Sequence, residues 1–187
     1  MNTEYLGGAH DIVKRFFCET MRSLDYTIYI DPMWLNPNDE RDGELFALLG
    51  VKHVRHWSAR PGRTCLLIDP AIGVAERPNR THVSIDRIAD ELVRHSIVFA
   101  LDQSFSRSTD RQVQMSRKLN TLSRRGAAGF YYDSSAKFLF TSRTASHLES
   151  VKLRLRAMGV PEQRIFEGLH EPRRETPAGS RPTAAAY

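Results

Sequence analysis

The hydrophobic positions of this chain follow two alternating patterns, one typical of helices and the other typical of buried strands. Between residues 10 and 24, apolar side chains recur every three to five positions, which predicts a helix with one buried face. Residues 26–30 then form a β-branched and aromatic run that predicts a strand. The same patterns predict further helices near 44–49, 84–93, 109–125 and 146–158, and further strands at 65–68, 97–101, 129–132 and 137–141.

Polar residues mark the positions where several of these helices should begin. Ser84 precedes an apolar stripe, and a serine there can accept a hydrogen bond from a free backbone amide of the first turn. Thr109 and Gln112 have the spacing of a capping box, and so do Ser146 and Glu149. We therefore expect helices to begin at these three places.

Strands that alternate with helices predict an α/β fold, in which a single, mostly parallel sheet is covered by helices on both faces. The two strand-like runs near 129–141 are separated by a short polar turn, which allows an antiparallel hairpin at the edge of that sheet. Residues 70–83 contain Gly, Pro and Asn and are expected to form a loop. Residues 1–167 are interpreted as one domain, and residues 168–187, rich in Pro, Arg, Glu and Ala, as a disordered tail.

The composition is that of an ordinary globular domain, and it excludes several classes of protein. Of the 187 residues, 41% are hydrophobic and 26% are charged. No stretch approaches the roughly 18 consecutive apolar residues of a membrane span, and two cysteines are too few for a disulfide scaffold. Residues 1–10 have neither the basic start nor the apolar run of a secretory signal, so we expect a cytoplasmic protein without membrane partners.

Aspartates follow four of the predicted strands, and they are the main candidates for chemistry. Asp31, Asp69 and Asp102 each come directly after a strand, and Asp133 follows the run at 129–132. Because ligands of open α/β sheets bind beyond the carboxyl ends of the strands, several of these carboxylates should approach one rim. Carboxylate oxygens are the ligands that Mg²⁺ prefers, and such an ion can activate water against a phosphate ester.

The leading hypothesis is therefore a Mg²⁺-dependent hydrolase of phosphate esters, possibly a nuclease. Asp31, Asp69 and Asp102 would hold the metal, and Asp69 and Asp102 would be the catalytic residues. The alternative interpretation is structural, since aspartate is common wherever a strand turns into a loop. A hairpin turn explains Asp133 in the same way.

The positive charge of the chain is concentrated directly after Asp102. The formal charge is +5, and residues 103–126 hold six basic residues against one acid. In this segment Ser104, Arg107 and Arg111 are candidates for binding the phosphate of a nucleotide or nucleic acid, although Ser104 can also be a simple cap. Arginine supplies 22 of the 27 basic residues, which reflects either phosphate recognition or the base composition of the source genome.

A rival hypothesis is a non-catalytic α/β module that binds a nucleotide or another protein. Gly7 and Gly8 stand between a possible strand at 3–6 and the first helix, a layout in which a helix N-terminus binds the phosphate of a cofactor. The full Gly-x-Gly-x-x-Gly pattern is absent, and a tight turn also explains two glycines. A third possibility is a docking patch at residues 32–35, and the oligomeric state is left open.

Overall fold

A layered α/β arrangement is seen in the computed structural model of the chain, which describes residues 7–33, 42–58, 62–77, 79 and 81–169. The helices are Ala9–Arg22 (α1), Asp42–Leu49 (α2), Ile85–Glu91 (α3), Arg111–Arg124 (α4) and Ala145–Ala157 (α5). The strands are Thr27–Asp31 (β1), Lys52–His53 (β2), Thr64–Ile68 (β3), Gly73–Ala75 (β4), His82–Ser84 (β5), Ile97–Leu101 (β6), Ala128–Tyr132 (β7), Phe138–Ser142 (β8) and Ile165–Phe166 (β9). No helix within the described ranges is long and apolar enough to cross a membrane.

The main sheet contains seven strands in the order β2-β1-β3-β6-β8-β7-β9. β2, β1, β3 and β6 are parallel to one another. β7 and β8 form an antiparallel hairpin, and because β8 is also antiparallel to β6, β7 points in the same direction as β6. The predicted α/β fold with a mostly parallel sheet is confirmed, since only β8 and β9 run against the other strands.

Helices cover both faces of this sheet, as the uninterrupted apolar runs of its strands predict. α1, α2 and α5 pack on one face and form what we call the α1-side core, whereas α3 and α4 pack on the other and form the α4-side core. Successive residues of a strand enter opposite cores, for example Leu67 on the α1 side and Leu66 on the α4 side. The ring of Phe17 from α1 packs edge-on against Phe138 and Phe140, with centroid distances of 4.8 and 5.0 Å.

The start of α3 follows the sequence prediction, whereas α4 is capped one residue later than expected. Ser84 is the N-cap of α3, and its hydroxyl accepts a hydrogen bond from Arg87 N at 3.1 Å. α4 is capped by Asp110 instead of Thr109, because the Asp110 carboxylate accepts from Val113 N at 3.0 Å. A carboxylate here also interacts favourably with the positive end of the helix dipole.

Three other elements differ from expectation. α5 follows Thr144 as its N-cap, without a capping side chain, so the capping box that begins at Ser146 is not used. The segment 70–83 contains a small parallel sheet of β4 and β5 in addition to loops. The β7–β8 hairpin does not form the edge, because β8 is inserted beside β6 and β9 lies beyond β7.

Several sequence-based expectations lie outside the described residues. These are the possible strand at 3–6, Trp34 and Leu35 of the docking patch, and the tail from residue 170 onward. The main sheet takes strands from residues 27 to 166, and the interpretation of 1–167 as one domain stays a prediction.

Candidate functional site

The four strand-end aspartates lie at the same edge of the main sheet. β1, β3, β6 and β7 point in one direction, so their carboxyl ends coincide. This carboxyl edge carries Asp31, Asp69, Asp102 and Asp133. α1, α3 and α4 all begin at this edge, because residues in their first two turns contact these aspartates. Helix N-termini carry partial positive charge, so the edge favours anionic groups as well as holding carboxylates.

The carboxyl edge includes a point at which the strand order reverses. After β1 the chain forms α2 on the α1 side and then β2, whereas after β3 it forms α3 on the α4 side and then β6. The two connections leave neighbouring strands in opposite directions, and open α/β sheets bind ligands in the crevice at such a point. We give the name β1–β3 crevice to the carboxyl ends of β1 and β3 at this reversal point. Asp31 and Asp69 flank it, and Asp69 N donates to Asp31 O at 2.9 Å.

On the α1 side of the crevice, a buried lysine lies between two buried carboxylates. Lys14 Nζ donates to Asp69 Oδ2 at 2.7 Å and to Asp11 Oδ1 at 3.0 Å. Burial lowers the pKa of Lys14, but the two carboxylates outweigh that effect, so its pKa is raised overall. Burial raises the pKa of Asp69, and the Lys14 ammonium opposes the increase. We call these three residues the Lys14 triad.

The two N-terminal glycines are connected to this triad. Gly7 N donates to Asp11 Oδ2 at 3.1 Å, and Gly8 is the N-cap of α1 without a side chain to satisfy the first turn. Gly7 has a φ of +81°, which glycine adopts without strain. The sequence analysis assigns the two glycines to a phosphate-binding turn and Asp69 to a metal site. In the fold, Asp11 and Lys14 connect Gly7 to Asp69 by hydrogen bonds.

On the α4 side of the crevice, Asp31 forms an ion pair with Arg87 from the first turn of α3. Asp31 Oδ1 also accepts from Met33 N at 3.0 Å, which fixes the turn after β1. The Arg87 side chain is 41% exposed and that of Asp31 is 15% exposed. This pair is therefore accessible to a ligand in the crevice, whereas the ammonium of Lys14 is not.

Asp102 is fully buried and has partners on both carboxylate oxygens. Oδ1 accepts from Val74 N at 3.0 Å and from Ser104 N at 3.1 Å. Oδ2 accepts from Lys118 Nζ at 2.7 Å and from Tyr131 Oη at 2.8 Å. A carboxylate can accept about four hydrogen bonds, so these four donors occupy the acceptor sites of Asp102. Because three of these donors come from β4, α4 and β7, Asp102 fastens those three elements to the end of β6.

Ser104 belongs to the same network rather than to an open surface. Its hydroxyl accepts from Lys118 Nζ at 3.0 Å and lies 2.6 Å from both Asp102 Oδ1 and Val74 O. One hydroxyl hydrogen can serve only one of those two acceptors. Gly73 completes the packing, because a Cβ there would overlap Asp102 Oδ1 and lie 2.8 Å from Gln103 N.

The remaining predicted residues lie at the β7 end of the edge. Arg111, the first residue of α4, pairs with Asp133 Oδ2 at 2.9 Å. Asp133 Oδ1 is buried and has no hydrogen-bond partner among the described residues. Arg107 is exposed in the loop between β6 and α4. Arg111 follows Asp102 in the sequence, but in the structure it pairs with Asp133 instead.

The three predicted metal ligands do not converge. Asp69 points to the α1 side, whereas Asp31 and Asp102 point to the α4 side and are separated by β3, about 9.6 Å at the usual strand spacing. Within the part of the chain that the structure describes, no group of three or more His, Cys, Asp and Glu side chains could hold a metal ion. The Mg²⁺ hypothesis stays a prediction, and it requires rearrangement at this edge.

Comparison with known proteins finds no relative of this chain. No family model, curated protein or solved structure matches the chain. The function is therefore inferred from the chemistry of the β1–β3 crevice, the Lys14 triad and the Asp31–Arg87 pair.

Four residues that shape the edge were not identified from the sequence, namely Lys14, Arg87, Lys118 and Tyr131. Lys14 carries a detectable signal, because it lies three residues before Phe17 on the stripe that α1 buries, where a charge needs a partner. The other three have no such signal. Their aspartate partners lie 16 to 56 residues away in the chain, so the contacts depend on the folded topology.

Proposed function

We propose that this protein binds a nucleotide or another small phosphate ester in the β1–β3 crevice. The observation that carries the proposal is the accessible Asp31–Arg87 pair at the switch point of the sheet, opposite the N-terminus of α1. A guanidinium offers phosphate a planar fork of hydrogen-bond donors, and a helix N-terminus favours the same anion. Asp31 would accept hydrogen bonds from hydroxyl groups of the ligand.

Each part of the crevice has a separate role in this proposal. Gly7 and Gly8 have no side chains, so a phosphate group could approach the backbone at the start of α1 closely. Arg87 would exchange part of its contact with Asp31 for a contact with phosphate. The Lys14 triad would hold α1 against β3 without contacting the ligand, because it is buried.

A thermal-shift screen tests this proposal, since a ligand that binds only the folded state raises the Tm. The panel contains ATP, ADP, AMP, GTP and inorganic phosphate, each in EDTA and in Mg²⁺. Arg87→Gln should lose the nucleotide-dependent rise in Tm. Arg156→Gln is the matched control, because Arg156 also pairs with a carboxylate, that of Glu162, but lies in the last turn of α5.

Two outcomes would contradict the proposal. One is the absence of any rise in the wild-type Tm with every member of the panel. The other is a rise that survives in Arg87→Gln to the same extent as in Arg156→Gln, which would locate the ligand elsewhere.

Mg²⁺-dependent hydrolysis of phosphate esters, including nuclease activity, is a second candidate. The observation that favours it is the shared edge of Asp31, Asp69 and Asp102. For a metal to bind there, Lys14 or Lys118 would have to leave its aspartate. Turnover of p-nitrophenyl phosphate or single-stranded DNA with Mg²⁺ that is lost in Asp69→Asn and in Asp31→Asn would support it. Lack of turnover with Mg²⁺ and Mn²⁺ would count against it.

A further inference from the structure

We propose that the ammonium of Lys14 takes the place of a divalent cation between Asp11 and Asp69. The second part of the inference rests on the function proposed above: binding in the β1–β3 crevice does not depend on metal. The geometry that carries it is the position of Lys14 Nζ, 2.7 Å from Asp69 Oδ2 and 3.0 Å from Asp11 Oδ1. The Lys14 side chain has no solvent exposure, so the two carboxylates have this ammonium in place of water.

Two buried carboxylates stay ionised only with a cation between them, because an ionised group that leaves water without a partner is strongly disfavoured. Calcium meets carboxylate oxygens at about 2.3–2.6 Å and magnesium at about 2.0–2.1 Å. Both ranges are shorter than the 2.7 and 3.0 Å between Lys14 Nζ and these oxygens, so a metal bound to both oxygens would need the space that Lys14 Nζ now occupies. The ammonium and a metal ion cannot share that point, so Lys14 excludes the metal from Asp69.

The use of lysine across the chain supports the same inference. Only five of the 27 basic residues are lysines. Lys14, Lys118 and Lys152 have side chains that are at most 11% exposed, and each contacts a carboxylate. The ion-paired Arg117 and Arg125 are 72% and 56% exposed. Lys14 and Lys152 each lie between two carboxylates, where one compact ammonium donates to both.

Titration of the full-length protein with Ca²⁺ or Mn²⁺, read as Tm, tests the inference without any nucleotide. In Lys14→Ser the ammonium is removed while both carboxylates stay, so the cation should raise the Tm by several degrees. The double variant Lys14→Ser with Asp69→Asn should lose this rise. Lys152→Ser is the matched control, because Lys152 also contacts two carboxylates, those of Glu149 and Glu167. These carboxylates are exposed, so the cation should raise the Tm of this variant much less.

A wild-type experiment keeps the inference testable if Lys14→Ser does not fold even with metal. Wild type and Asp69→Asn should then respond equally to Ca²⁺ and Mn²⁺. A metal-dependent rise in the wild type that Asp69→Asn abolishes would overturn the inference, and so would a folded Lys14→Ser variant without a metal response. Because these titrations contain no nucleotide, a negative nucleotide screen would leave them unaffected. Equal nucleotide-induced shifts in EDTA and Mg²⁺ test the second part.

Discussion

Lys14 Nζ lies 2.7 Å from Asp69 Oδ2, and neither side chain is more than 5% exposed. The contact joins the second turn of α1 to the end of β3, across 55 positions of sequence, at the point where the strand order of the sheet reverses. Because both charged groups have left water, loss of one partner leaves the other buried without a counter-charge. This pair therefore holds the α1 side of the β1–β3 crevice in place.

Lys14→Met should destabilise the protein far more than Lys152→Met. The first change leaves Asp11 and Asp69 buried without a cation, which typically costs about 3–5 kcal/mol. Lys152 is also buried, but its partners Glu149 and Glu167 are 56% and 51% exposed and can be hydrated, so about 1 kcal/mol is expected. Urea unfolding of the two variants at pH 7 measures the difference. Equal losses of stability would contradict the account of the triad.

Because of the buried His95, the free energy of unfolding should decrease as the pH falls from about 6.5 to about 4. Its ring is buried against Tyr29 and Trp57, and its Nδ1 lies 3.2 Å from Thr64 Oγ1. Burial, with a contribution from Arg94, lowers the pKa of His95 from 6.5 to about 4. The unfolded chain therefore binds this proton first, so stability falls as acid is added across that window.

The variant His95→Gln removes the titrating group and should show a flatter decline. Urea midpoints of wild type and His95→Gln at pH 7, 5.5 and 4.5 provide the measurement. Parallel declines in the two proteins would mean that His95 is not the group responsible.

Asp102→Asn should reduce stability more than Asp133→Asn, although both residues end a strand at the same edge. Asp102 is fully buried and is bonded by Lys118 and Tyr131, so its neutralisation leaves a nearly buried ammonium without its counter-charge, at about 3–5 kcal/mol. Asp133 pairs with the half-exposed Arg111, which water can solvate, and about 1 kcal/mol or less is expected. Thermal unfolding followed by circular dichroism compares them, and the opposite order would be inconsistent with the network described for Asp102.

Gly73→Ala should be more damaging than Gly126→Ala, although both glycines have positive φ, +152° and +72°. A Cβ at Gly73 would overlap the Asp102 carboxylate, whereas a Cβ at Gly126 would meet no atom within 4 Å. Backbone strain alone costs about 1–3 kcal/mol, and Gly73→Ala adds the displacement of Asp102. The test is the difference in urea midpoint between the variants, and similar midpoints would argue against tight packing at Gly73.

The strands, the layers and the shared edge could be predicted because they depend on local pattern. The run at 97–101 has no alternation because its strand is buried on both faces, and all five of its residues are buried. Asp31, Asp69 and Asp102 were expected at one rim because parallel strands end together. The α1 stripe and the Ser84 cap were likewise local signals.

The partners of those aspartates could not be predicted, because each depends on distant parts of the chain. Asp69 points to α1 and Asp102 to α4 as a result of strand alternation and of where each strand ends. The contact of Tyr131 with Asp102 crosses β8, which lies between β6 and β7, an order that no local pattern specifies. For the same reason the sequence pattern predicts one metal site for Asp31, Asp69 and Asp102. In the fold, the side chain of Asp69 points to the α1 side, whereas those of the other two point to the α4 side.

The most direct test of the central claim is to map a nucleotide onto the chain by ¹H–¹⁵N NMR, adding ATP to the wild-type protein in EDTA. We predict that the largest chemical-shift changes occur at the backbone amides of Gly8 and Ala9 and at the Arg87 side chain, and that they saturate without metal. Shift changes that are absent, that require Mg²⁺, or that are confined to α5 and β9 would contradict binding in the β1–β3 crevice.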